Sequence, residues 1–232
     1  MKKAQVIALD GPSGSGKSTV AKKIAAQLSL IYIDTGAMFR AVAYALQHMG
    51  IDFSKKNLLL EEEELINKFF HEHRFQYSPA PGVLIMLDNL NLTDVIRDHH
   101  VSRLASQVSK FKVIRDFLAS WQRSIVEDRP AILDGRDIGT VIFPNAALKI
   151  YLTASSEERA KRRLDELVER GQTELDYETI LKDIKERDYE DMNREIAPLK
   201  KAHDAIELDS TGKNIPQIVS EVIELWNQKK GN

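Results

Sequence analysis

Residues Gly11-Pro12-Ser13-Gly14-Ser15-Gly16-Lys17-Ser18 follow the pattern G-x-x-x-x-G-K-[ST]. Each residue type meets a physical need of anion binding. Glycines let the backbone curl until successive N–H groups converge on phosphate oxygens. A helix beginning near Lys17 adds the positive end of its dipole. In this pattern the Lys17 ammonium reaches the β- and γ-phosphates of a nucleotide and the Ser18 hydroxyl ligates Mg²⁺. Thr19 completes the phosphate-binding stretch. A Gly/Ser loop also matches by chance, so context decides. Here the apolar run AQVIAL leads into the loop and TVAKKIAAQL leaves it with helical spacing.

Two further apolar runs deliver polar residues at their ends. IYID at 31–34 leads to Asp34, Thr35 and, on the following helix, Arg40. AILD at 131–134 leads to Asp134-Gly135-Arg136-Asp137-Ile138-Gly139-Thr140. Asp134 stands where a strand-end carboxylate either holds Mg²⁺ through water or merely caps a turn. Asp34 is a second carboxylate with the same possible metal role. The Arg136 fork suits two phosphate oxygens at once. Asp137, ionised, only accepts, which suits a hydroxyl or an exocyclic amine.

Arg187, Asp191 and Arg194 are spaced i, i+4, i+7 and so share one face of a helix. Two readings fit: a salt-bridged, solvated face, or cations gathered for phosphate. Arg159, Arg162, Arg163 and Arg170 carry the same two readings. The histidines lack zinc-ligand spacing. No G-x-S-x-G elbow and no N-K-x-D guanine-reading motif occurs.

The elements that would position these groups alternate. Strands fall at 6–9, 31–34, 131–134, 147–152 and 205–208, with helices at 18–28, from 35 to about 48, after the Ser155/Glu158 capping signature, and over a final apolar stripe from Ile215 to Trp226. Alternation of this kind predicts an α/β fold with a doubly wound parallel sheet, whose ligands gather at the carboxyl ends of the strands. The stretch 74–97 breaks the pattern. Two strand-like runs flank the turns 78–82 and 88–89, which predicts an antiparallel insertion over about 63–105, although an ordinary long excursion without a binding role is the alternative. Helical spacing then runs from about 101 to 126. The acidic run 61–64 reads as a solvated helix start.

The chain has 232 residues, 43% hydrophobic and 29% charged, with net charge −2 and no cysteine. That supports a substantial core and lacks an overall basic footprint for nucleic acid. Disulfides and thiolate metal sites are excluded. No apolar run reaches membrane-span length and no signal-peptide pattern leads the chain, so a cytoplasmic location is expected.

Taken together, LDGPSGSGKST at 9–19, IDTGAMFR at 33–40, LDGRDIGTVIFP at 133–144, TASSEERAKRR at 153–163, IKERDYEDMNREIAPL at 184–199 and LDST at 208–211 resemble the bacterial cytidylate kinases. The resemblance spans nearly the whole chain. The DGRDIGT loop combined with the ERD…D…NR helix is its specific part.

It implies one P-loop NTP hydrolase-type kinase domain with a five-stranded parallel sheet. The core would comprise about 1–62, 106–154 and 197–232, the nucleoside-monophosphate-binding insertion about 63–105, and the lid about 155–175 with a following helix to 196. It implies transfer from ATP, with Mg²⁺, to CMP or dCMP, in a monomer. Thr35, Arg115, Asp137 and Arg194 match positions that recognise cytosine or place CMP, and Ser106 a hydroxyl near the base. Arg187 and Asp191 match the sugar-contacting pair, and Arg40 and Arg136 the acceptor-phosphate arginines. Lys17, Arg136 and Arg187 would be catalytic, and Arg159 and Arg163 lid arginines. Phe39 stands where the family often has Tyr. Two other readings remain: a kinase of the shikimate or adenylate type on the same fold, or a nucleotide-holding switch. Acceptor choice separates the first from cytidylate transfer; slow turnover with tight nucleotide retention would mark the second.

Overall fold

The computed structural model describes residues 5–79, 84–127, 129–169, 171 and 176–231. The 80–82 part of the expected turn and, from the expected lid, Arg170 and residues 172–175 lie outside them. The chain divides into two compact units, 33–127 and the remainder.

In the larger unit, β1 (Val6–Asp10), β6 (Ala131–Gly135), β7 (Leu148–Thr153) and β8 (Ile206–Asp209) join β2 (Ile31–Asp34) in a five-stranded sheet of order β2-β6-β1-β7-β8. Its β1–β6, β1–β7 and β7–β8 pairings are parallel. Every residue of β1 and β6 is buried, which explains why they read as unbroken apolar runs ending in a carboxylate or glycine rather than as alternating strands. Helices α1 (Lys17–Leu28) and α8 (Ile215–Gly231) pack on the sheet and on each other. β1 lies between β6 and β7, so the chain leaving it enters a crevice at the carboxyl edge.

Two more helices, α6 (Ser156–Glu169) and α7 (Tyr177–Asn193), form a hairpin with a small core of Ala160, Leu167, Ile180 and Ile184. The Ser155 hydroxyl accepts from the Glu158 N–H, as the capping signature implied. Helix α7 ends one residue short of the expected face. Arg194 takes extended backbone (φ −63°, ψ 143°), so Arg187 and Asp191 share the helix and Arg194 does not. The reason is local: Arg194 Nε donates to Ala197 O and the Leu199 N–H donates to Asp191 O, which turns the chain away.

The unit 33–127 holds α2 (Thr35–Leu46), α3 (Leu60–Glu72), α4 (His99–Val108) and α5 (Lys112–Val126). It also holds an antiparallel sheet of β3 (Phe75–Ser78), β4 (Leu84–Leu87) and β5 (Leu90–Asn91). The antiparallel element expected within 63–105 is therefore present, inside a larger compact unit that also takes in α2 and α5. The helical spacing expected over about 101–126 is shared by two helices, α4 and α5. It breaks at 109–111, where Arg115 Nη1 donates to Ser109 O and Phe111 turns inward against Phe53. Met38, Ile66, Ile85, Ile114 and Leu118 are fully buried in this unit. No helix among the described residues is long and apolar enough to cross a membrane.

Candidate active site

The loop after β1 has the geometry its sequence implies. Gly11 runs so close to β7 that a Cβ there would sit 2.1 Å from Leu152 O. Gly16 caps α1 in the left-handed region (φ 86°), with no side-chain cap and no acidic residue in the first turn. The positive end of α1 is thus left to the loop. Lys17 is buried and donates to Pro12 O at 2.5 Å and to Ser15 Oγ at 3.2 Å. Burial, and then the facing Arg136, push its ammonium well below the ordinary lysine range.

Asp134, at the end of β6, is buried. It accepts from Ser18 Oγ at 2.5 Å and from the Tyr32 hydroxyl at 3.2 Å. Hydroxyl and carboxylate oxygens are the hard donors that Mg²⁺ takes, so Ser18 and Asp134 fit that ion. No cluster of three or more His, Asp or Glu among the described residues could hold a metal, so most ligands would come from phosphate and water. Asp34 is otherwise engaged. It accepts from the Ala37 N–H as the cap of α2, and Arg40 Nη2 lies 3.7 Å from its second oxygen.

Next along the chain, Arg136 Nε donates to Asp191 Oδ2 at 2.8 Å, and Arg194 Nη1 lies 3.3 Å from Asp191 Oδ1. Burial would raise the Asp191 pKa, but Arg136, Arg187 and Arg194 together hold it below the usual carboxylate range. Three guanidinium groups gather around one carboxylate, and Lys17 and Arg136 act on each other's charge with Asp134 and Asp191 close to both. Guanidinium groups gathered in this way suit phosphate oxygens. Asp137 is buried directly beside Arg136.

Arg159, expected in the lid, serves as a strut. Its Nε donates to Ala154 O, Nη1 to Ser13 O of the phosphate loop, and Nη2 to Asp188 of α7 at 2.6 Å. Arg162 binds Ser210, whose hydroxyl in turn donates to Thr153 O. Arg163 pairs with Glu166 at the surface of the hairpin.

In the unit 33–127, Thr35 is buried at the start of α2 and the Asp34 N–H donates to the Tyr77 hydroxyl. Arg115 is buried with its guanidinium 5.3 Å over the Phe39 ring, a cation–π contact. Ser106 lies on α4, and its carbonyl accepts from the Ser109 hydroxyl.

Sequence reasoning missed Asp10, Asp188 and Tyr32. Asp10 has the clearest position. It is 5% exposed, accepts from the Ile138 N–H at 2.8 Å and from the Gly139 N–H at 2.7 Å, and burial pushes its pKa up to about 6. An acid closing an otherwise apolar strand was the only available signal.

A parallel α/β sheet with a phosphate loop after its central strand, an adjacent strand-end carboxylate paired to the loop serine, and a half-buried arginine cluster define a P-loop phosphate-binding protein. The particular family follows from comparison. A family profile described as "Cytidylate kinase" matches residues 7–228, and the chain belongs to the cytidylate kinase family. It is 45% identical to a protein named cytidylate kinase from Caldicellulosiruptor saccharolyticus, over 97% of both chains. It is 44% identical to a bifunctional pantoate ligase/cytidylate kinase from Prochlorococcus marinus (strain MIT 9215), over 99% of this chain. The chain spans only 44% of the length of that relative. The crystal structure of an uncharacterized protein from Eubacterium ventriosum matches 97% of this chain and 99% of its own at TM-score 0.51 and 14% identity, a likeness of fold alone.

Proposed function

We propose that this chain transfers the γ-phosphoryl group of ATP to CMP and dCMP, forming CDP or dCDP and ADP. The convergence of the half-buried Arg136, Arg187 and Arg194 on the buried Asp191, with the buried Lys17 of the phosphate loop beside them, carries this reading. An acceptor phosphate oxygen attacks the γ-phosphorus in line, and the bond from that phosphorus to the β,γ-bridging oxygen breaks. No strong general base is required, because a phosphate monoester is already largely dianionic above its second pKa of about 6. The protein's contribution is then position and charge.

Gly11 to Thr19 would cradle the donor phosphates, with Lys17 on the β- and γ-groups. Arg40 and Arg136 would hold the acceptor phosphate, and Arg187 with Asp191 its sugar. Ser18 and Asp134 would hold Mg²⁺, which when bound neutralises charge on the β- and γ-oxygens. The hairpin of α6 and α7 would exclude water, the competing acceptor.

Base selection would rest on Thr35, Ser106, Arg115, Asp137 and Arg194. Cytosine offers acceptors at N3 and O2 and a 4-amino donor; uracil reverses the first and last. An arginine donor and an aspartate acceptor pair with cytosine and leave uracil mispaired, at about 1–3 kcal/mol for each buried mispaired group. The test is product analysis: ATP, CMP and Mg²⁺ should give CDP and ADP in equal amounts. ADP without CDP would contradict the proposal.

A further inference from the structure

Asp10 is used by no step of the transfer just described, yet it is among the most buried acids of the chain. It closes β1 and is followed directly by Gly11, the first residue of the phosphate loop. Its two oxygens accept from the consecutive N–H groups of Ile138 and Gly139, 128 and 129 residues away. Those amides open the π-turn Ile138–Ile142 that follows Arg136 and Asp137. One short side chain therefore joins the loop assigned to the donor and the loop assigned to the acceptor.

We infer that Asp10 is a positioning residue for acceptor binding: its carboxylate fixes the turn that aims Arg136 and Asp137. This rests on the phosphoryl-transfer reading above. Two parallel N–H groups need two acceptor oxygens on one rigid stem. An asparagine offers one oxygen and turns a donor NH₂ onto the second N–H, leaving two donors opposed in a buried place. A glutamate keeps both oxygens but is longer by a methylene, in a close-packed interior with no room for it. The same reasoning accounts for Gly139. A Cβ there would sit 3.3 Å from Asp10 Oδ2 and 3.1 Å from the Lys149 stem, so any side chain crowds the contact. Lys149 cannot withdraw freely, since its Nζ is held by Pro144 O at 2.6 Å and Asp204 at 2.8 Å.

The experiment compares initial rates of CDP formation by the full chain, Asp10→Asn and Gly139→Ala, with CMP and ATP varied in turn. The first variant alters the carboxylate. The second leaves the carboxylate intact and pushes the turn away from it. Misaimed Arg136 and Asp137 should raise the KM for CMP about tenfold or more in both variants, the equivalent of about 1.4 kcal/mol. The KM for ATP should stay within about threefold, because the phosphate loop keeps its own struts. CMP and ATP constants that are both unchanged, or both raised equally, in either folded variant overturn the inference while leaving the transfer reading intact. A wild-type chain that forms no CDP overturns both. If neither variant folds, amide exchange on the wild type decides: CMP should slow exchange at Ile138 and Gly139 more than ATP does, and equal or no slowing by CMP overturns the inference.

Discussion

Replacing Asp10 by asparagine should change how stability responds to pH. The Asp10 carboxyl sits deep in the chain and its pKa is pushed up to about 6 from 3.8, despite two N–H donors and the nearby Lys17. An acid whose pKa is higher in the folded than in the unfolded chain binds more protons when folded. Stability then falls as pH rises from about 4 to about 6. The whole shift corresponds to about 3 kcal/mol at 1.36 kcal/mol per unit, of which about 1 kcal/mol falls between pH 5 and 7. The assay is urea unfolding of wild type and Asp10→Asn at pH 5, 6 and 7. Taking the difference between the two proteins cancels groups that titrate alike in both. Wild type should lose about 1 kcal/mol relative to the variant over that range. A constant difference, or one moving the opposite way, would refute the reasoning that burial dominates the Asp10 environment.

Lys17→Ala should reduce CDP formation by about a hundredfold or more, the scale of losing one charge-stabilising donor, while urea unfolding shows stability unchanged or raised, because the ammonium is held buried against its preference. Ser18→Ala should raise the Mg²⁺ concentration needed for half-maximal rate, and EDTA should stop the wild-type reaction; a variant with an unaltered Mg²⁺ titration would remove Ser18 from the metal site. Arg159→Ala should cost about 2 kcal/mol or more in urea unfolding, because it leaves the half-buried Asp188 without its cation and releases Ser13 O. A cost below about 1 kcal/mol would mean that Arg159 is not a strut.

Much of the parallel core was legible because its signals are local. The phosphate loop, its preceding apolar run and its following helix occupy consecutive residues, and β6 announces itself by three buried apolar positions before Asp134 and Gly135. The antiparallel sheet was legible from turn chemistry at 88–89 and from the loss of helical spacing. What sequence concealed depends on distant partners. Asp10 gains its meaning from amides on another strand's loop, and Arg159 from Ser13 and Asp188. Periodicity overran two helix ends, at 109–111 and at Arg194, because in each case an arginine bonds a backbone carbonyl and turns the chain where spacing alone continues. The roles of Thr35, Arg40, Ser106 and Arg115 toward CMP come from family resemblance, and the contacts within their own unit hold three of them: Thr35 and Arg115 are buried, and Arg40 faces Asp34.

The most direct measurement is the initial rate of ADP release from Mg²⁺-ATP with CMP, dCMP, UMP, AMP and no acceptor, side by side. Release should be fast with CMP and dCMP, about tenfold or more slower with UMP, and near background with AMP or without acceptor. Equal rates with UMP would contradict the assigned roles of Arg115, Asp137 and Arg194, and release independent of acceptor would contradict cytidylate transfer itself.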